Sequence, residues 1–214
     1  MNMLDPSDEL DHIAEFADSG VRIFQRQGSL VGVPGSYGLK RYLYSRWRNN
    51  GNAAYTFIGS LLAIGLSGTW AYIVKQPLLF PSLGATAFLI FETPMAEVGT
   101  PRNTVIGHTV GVAAAVVSLA IFGLLHSPSV YVTGVSVARI GAVALAVALT
   151  GGTLRVLRAA HPPAGATTII VASGLLHTPK QLLDVIVGVL LLTIAGWCLN
   201  RVMGVPAPVW AAPR

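Results

Sequence analysis

The chain has 214 residues, of which 53% are hydrophobic and only 11% charged, with mean hydropathy +0.63. A soluble domain carries about 25% charged residues, so these values exclude an ordinary water-soluble protein and indicate an integral membrane protein. The net charge of +5 is unevenly spread, since Asp5, Asp8, Glu9, Asp11, Glu15 and Asp18 are six of the nine acidic residues. A single cysteine, Cys198, excludes a disulfide framework, and its apolar surroundings predict a small buried thiol.

Residues 1–50 read as a cytoplasmic N-terminal segment. Leu10, Ile13, Phe16 and Ala17 sit at helical spacing, so Asp8–Asp18 fits a short amphipathic helix. An acidic start without an early apolar core does not read as a secretory signal peptide. Gly32–Gly38, with Pro34, Gly35 and Gly38, reads as a loop. Then "KRYLYSRWR" interleaves Tyr42, Tyr44 and Trp47 with Lys40, Arg41, Arg46 and Arg48. Aromatic rings among cations can read nucleic acid, but directly before an apolar helix they anchor the interface and mark the cytoplasmic side.

Four blocks follow that are nearly free of charge: Ala53–Val74, Val105–Leu125, Val137–Leu154 and Val185–Leu199. Most approach the roughly 20 residues of a spanning helix. Glycine and other small residues run through all four, as helix packing in lipid favours. The chain also repeats. Shifted by 81 positions, Pro81-Ser82-Leu83-Gly84-Ala85-Thr86 falls on Pro162-Pro163-Ala164-Gly165-Ala166-Thr167, and Gly107 falls on Gly188. The predicted fold is therefore an all-α polytopic membrane protein built from two units of helix, broken helix and helix. Residues 51–125 form the first repeat, 126–134 a linker loop, 135–203 the second repeat and 204–214 a C-terminal tail.

Gly84–Phe91 and Ala164–Ala172 are too short as helices to cross roughly 30 Å at 1.5 Å per residue. Each either dips in and returns, giving four spanning helices and two re-entrant segments, or crosses as an extended proline stretch followed by a half-helix. Basic residues favour the second arrangement. With the N-terminus inside, six membrane elements also put Arg102, Arg155 and Arg158 inside and leave Lys75, Arg139 and Lys180 outside. Three elements per unit make the repeats inverted, as in many transporters.

In that frame two half-helix starts converge near the bilayer midplane. Pro81 and the Pro162-Pro163 pair break the helices where a missing N–H is harmless. Gly84, Ala85, Gly165 and Ala166 let a ligand approach the backbone, while Thr86, Thr167 and Thr168 supply hydroxyls. Free amides at a helix start attract anions, so the expected substrate-binding site is a cradle for a small anion. The bland alternative is a proline kink packed through glycine. His161, an ionisable group at membrane depth, would hold the anion or relay a proton; otherwise it caps freed carbonyls beside the break. Its repeat counterpart is Phe80. His108, Arg102 and Asn103 are secondary candidates. His108 reads as intramembrane and Arg102 as an interface anchor. Asn103, which matches Asp184 on the repeat offset, reads as an N-cap. Glu92 reads as solvated at the interface, and His126 and His177 as exposed loop residues.

No hydrolase, Walker, zinc or dinucleotide motif occurs, and five histidines with one cysteine give no metal spacing. No catalytic residue, metal or cofactor is expected. "PSLGATAFLIFETP", "TPRNTVIGHTVG" and "HPPAGATTII" together resemble the HPP family of small membrane proteins, named for His-Pro-Pro. The resemblance covers about 53–203 and leaves out the first 50 residues. His161, Pro162, Pro163, Gly165, Ala166 and Thr167 carry one motif, and Pro101, Arg102, Asn103 and Gly107 a second. The family is described with four spanning helices, which agrees with the re-entrant alternative. Chloroplast and cyanobacterial members are associated with nitrite transport, bacterial members are generally unassigned, and the CBS pair that some carry is absent here. Transport of a small monovalent anion, nitrite first, by a homo-oligomer in a bacterial-type inner membrane is the expectation. A non-transporting scaffold or assembly protein is the alternative. A membrane enzyme using His161 and Glu92 as acid and base is a third reading, and it lacks a nucleophile or metal set.

Overall fold

A computed structural model of the chain describes residues 37–47, 49–75 and 79–212. The Asp8–Asp18 amphipathic helix and all but the end of the Gly32–Gly38 loop lie outside the described residues. Every regular element among the described residues is helical. In chain order these are α1 (Gly38–Trp47), α2 (Asn49–Val74), α3 (Pro81–Glu92), a 3₁₀ turn (Glu97–Gly99), α4 (Pro101–Ile121), α5 (Val130–Thr133), α6 (Val137–Val156), α7 (Pro163–Ala172) and α8 (Pro179–Val202). Four stretches within them, Asn50–Ile73, Pro101–Ile121, Val137–Val156 and Pro179–Val202, are long and apolar enough to cross a membrane. The short helices α3 and α7 each stand between two of the long ones.

Local chemistry sets the boundaries. Pro81, Pro101, Pro163 and Pro179 each open a helix, where φ is already suitable and no amide is wasted. Thr100 and Thr178 cap α4 and α8, and Thr178 forms a full capping box with Gln181. This corrects the N-cap reading of Asn103 and Asp184. The hydroxyl at the start of a Thr-Pro pair stands before the first turn, whereas Asn103 is already inside it. The linker read as a loop contains the short helix α5.

Hydrogen bonds tie the ends together in two groups. At one end, the amides of Tyr37 and Lys40 donate to the carbonyls of Gly204 and Met203, and Arg102 N–H donates to Trp210. Tyr55 of α2 donates to Asn200 of α8, whose side-chain amide donates to the Ile90 carbonyl at the end of α3. At the other end, Val130 N–H donates to Ser173 O just after α7, and Arg139 at the start of α6 donates to Ala172 O and Pro128 O. Arg139, read from sequence only as an outer charge, is buried. With these ties α2, α3, α4, α6, α7 and α8 alternate in direction.

Small residues allow the close approach. A Cβ on Gly204, at φ +95, would meet the Tyr37 carbonyl oxygen at 1.7 Å, so only glycine joins the tail to α1 here. A Cβ on Gly111 would lie 2.8 Å from Thr168 Oγ1 and 3.0 Å from the Ala164 carbonyl oxygen, which fixes the α4–α7 spacing. Cys198 is exposed, which corrects the buried-thiol reading: the block around it is apolar because it is a spanning helix, and such a helix exposes apolar flanks.

Lys40 is the unexpected member of the basic cluster. Tyr42 and Trp47 stay exposed, but Lys40 is buried with its Nζ 4.1 Å above the Tyr55 ring and no hydrogen-bond partner among the described residues. Burial pushes its ammonium down from an ordinary 10.5 to about 8. The unfolded chain therefore binds more protons than the folded one between about pH 8 and 10.5, and stability rises with pH across that window. Melting of Lys40→Met in detergent should lose that rise, while the parent keeps it. Gly111→Ala should cost ~1–3 kcal/mol from overpacking, read as a lower melting temperature. Gly151→Ala, whose Cβ meets nothing within 4 Å, should not lower it.

Candidate functional site

The starts of the short helices lie side by side, antiparallel and overlapping. Ser82 in the first turn of α3 is level with Thr167 in α7, and Thr86 of α3 reaches His161 just before α7. This differs from the expected tip-to-tip convergence. The first amides of α7 are also spent: Ala164 N–H donates to His161 O and Gly165 N–H to Pro162 O, while Leu83 N–H of α3 donates to Phe80 O. No open cradle of amides forms from these groups, because the prolines turn the entering carbonyls back onto them.

Side chains meet there instead. His108 of α4 approaches Thr86 Oγ1 with Nε2 at 3.0 Å and Thr167 Oγ1 with Nδ1 at 2.7 Å. Thr167 donates to Ser82 Oγ at 2.8 Å, and Thr86 donates to the Ser82 carbonyl at 3.0 Å. His161 bonds the Val98 carbonyl through Nδ1 at 2.8 Å, while its Nε2 lies 3.2 Å from His108 Nε2. All five side chains are buried. Gly107 makes room, since a Cβ there would lie 2.8 Å from His161 Cβ.

Of the expected site residues, Thr86, Thr167, His161 and His108 come together. Thr168 faces elsewhere, bonding Thr150 and the Ala164 carbonyl. Gly84 and Gly165 border open space, Ala85 is exposed and Ala166 half-buried. The carbonyl that His161 bonds belongs to Val98 on the 3₁₀ turn, not to the proline break as the bland reading expected, and its other nitrogen faces His108. Glu92, His126 and His177 are exposed as expected. Ser82 went unread in the sequence, although its place beside Pro81 in the repeated motif marks it.

Beside this network a recess of about 640 Å³ opens to solvent. Arg102, Arg155, Arg158, Thr100, Asn103 and Ala160 are among its lining residues. Ala160 of the lining directly precedes His161 in the chain, and Asn103 Nδ2 donates to the Ala160 carbonyl at 3.3 Å. Arg102 is more than an interface anchor. Its guanidinium donates to the carbonyls of Leu157 and Arg158, closing the end of α6, and to Asn103 Oδ1. Arg155 and Arg158 are exposed, and Glu97 is the one acidic residue of the lining.

The HPP transmembrane region matches residues 47–208 of the chain. The chain belongs to the HPP family. A transmembrane protein of Dictyostelium discoideum is 32% identical to this HPP protein over 116 residues, covering 54% of this chain and 34% of the relative. The chain thus spans about a third of the length of that curated relative. No solved structure matches.

In this HPP protein Arg158 sits at φ +49, a left-handed conformation that glycine adopts without cost. An arginine there costs about 1 kcal/mol, and backbone strain of this kind gathers at functional sites. Arg158→Gly should therefore melt higher, by up to about 1 kcal/mol, with the Arg102 bond to its carbonyl intact. A lower melting temperature would show that the Arg158 side chain contributes more than its backbone costs.

Proposed function

We propose that this HPP protein carries a small monovalent anion, nitrite first, across the bilayer and catalyses no chemical change. The observation that carries the reading is the arginine-lined recess whose lining residue Ala160 directly precedes His161 of the buried Ser82, Thr86, His108, His161 and Thr167 network. Arg155 and Arg158 raise the local concentration of anions, because a cleft lined by one sign of charge focuses its field. The network then supplies the only kind of stop an apolar interior tolerates, polar side chains already bonded to one another.

The frame of the proposal is six membrane elements in two inverted repeats, with α3 and α7 as half-helices at about 18 and 15 Å. Alternation of helix direction supports it. The sorting of cations supports it too: Lys40, Arg102, Arg158 and Arg201 gather at one end, and Lys75, Arg139 and Lys180 at the other. The first group belongs in the cytoplasm by the positive-inside rule, which puts the N-terminus there, in a bacterial-type inner membrane. Assembly as a homo-oligomer is part of the same proposal.

Nitrite uptake into proteoliposomes tests the reading. The parent should exceed protein-free vesicles, and Arg155→Glu with Arg158→Glu should slow uptake about tenfold at low salt, the effect of about 1.4 kcal/mol. That penalty should shrink at high ionic strength. Uptake equal to empty vesicles overturns it.

A further inference from the structure

We propose that His108 and His161 bind one proton between their two Nε2 atoms, and that this proton crosses with the anion, one for one. The second half rests on the transport reading; the first stands on the hydrogen bonds alone.

A carbonyl oxygen only accepts, so His161 Nδ1, at 2.8 Å from Val98 O, carries a hydrogen. Neutral His161 therefore presents a lone pair at Nε2. The proton of Thr167 goes to Ser82 Oγ, which leaves the Thr167 oxygen to accept from His108 Nδ1 at 2.7 Å. Neutral His108 then also presents a lone pair at Nε2. The third atom at the meeting point is Thr86 Oγ1, whose proton goes to the Ser82 carbonyl. It lies 3.0 Å from His108 Nε2 and 3.3 Å from His161 Nε2. With the Thr86 and Thr167 hydrogens directed to Ser82, three acceptors face one another in a buried space.

One added proton resolves this. On either Nε2 it turns the 3.2 Å contact into an N–H···N hydrogen bond of ordinary length, with the rings in an edge-to-face pose at 64°. The proton comes from solvent on the side of the recess and leaves the pair with a charge of +1. A metal ion fits less well. Among the described residues no group of three His, Cys, Asp or Glu side chains gathers, and the third atom here is a hydroxyl that keeps its hydrogen.

The surrounding elements supply little competing charge. Glu97 lies on the 3₁₀ turn beside Val98, Arg102 at the start of α4, and Arg155 and Arg158 at the end of α6. Glu92 on α3 is exposed, α7 contains no titratable residue, and on α8 Asp184 pairs with Lys180 while Arg201 lies in the last turn. None of these is hydrogen-bonded to either ring.

The charge balance has a direct consequence for cargo. The neutral pair offers an arriving anion no positive charge. The protonated pair attracts it, and the loaded site is neutral overall, which a low-dielectric interior favours. Each monovalent anion therefore takes one proton, and the movement is electroneutral.

Nitrogen NMR of the full chain, labelled with ¹⁵N-histidine and held in nanodiscs, tests the proton site without any transport. Spectra of His108→Gln and His161→Gln assign the two signals. The expected result is Nδ1–H on both rings at high pH and one shared single-proton step on acidification. A neutral His108 with its hydrogen on Nε2, two independent steps, or tight Zn²⁺ binding that either variant abolishes would overturn the proposal. In proteoliposomes carrying a trapped pH dye, nitrite should bring in protons at a ratio of one and leave the membrane potential unchanged. Nitrite entry without protons sinks the coupling and leaves the transport reading standing. A shared NMR step without nitrite entry sinks transport and leaves the proton site standing.

Discussion

Polar atoms in an apolar interior must satisfy one another, because lipid offers no replacement for water. The rest of this structure depends on how that demand is met where α3 and α7 pass. Two proline breaks bring hydroxyls and carbonyls into the middle of the helical layer, and α4 supplies His108 to link them. The link fixes which helices touch. It holds α3 against α7 through Ser82 and Thr167, and both against α4 through His108. Glycine permits this closeness at Gly107 and Gly111, where α4 has no side chain to keep the neighbour away.

Helix ends obey the same rule with charged donors. Arg139 spends its guanidinium on carbonyls at the end of α7 and just before α5, at Ala172 and Pro128. Arg102 does the equivalent at the end of α6. Each positive group meets the negative end of a helix dipole, which makes a buried or half-buried arginine tolerable. The recess follows from this arrangement. Once Arg102 has folded inward onto the end of α6, Arg155 and Arg158 remain outside it and face solvent.

Much of the helical layout was legible because hydropathy and proline punctuation are local signals. The four apolar blocks and the P-x-x-G-A-T pair predict the long and short helices in their right order. What local reading misses is partnership. His161 and His108 are 53 positions apart, and Thr167 and Ser82 are 85 apart; no spacing rule joins them. One general argument would have done so, since two ionisable side chains at membrane depth each need a partner and tend to find one another. Asn103 falls inside α4 because the two repeats do not keep one offset throughout. The Thr-Pro pairs that open α4 and α8 are not in register with the G-A-T pairs. The amide cradle failed for a different reason: proline removes a donor and also bends the entering carbonyls back onto the donors that follow.

Cys198, exposed on the flank of α8, has a consequence of its own. As the sole thiol of the sequence, it has no internal mate for oxidation. A covalent S–S link within an assembly of this chain joins separate copies, and only when their α8 flanks come within about 7 Å between Cα atoms. The side chain is thus a built-in ruler for whichever face one copy turns toward another.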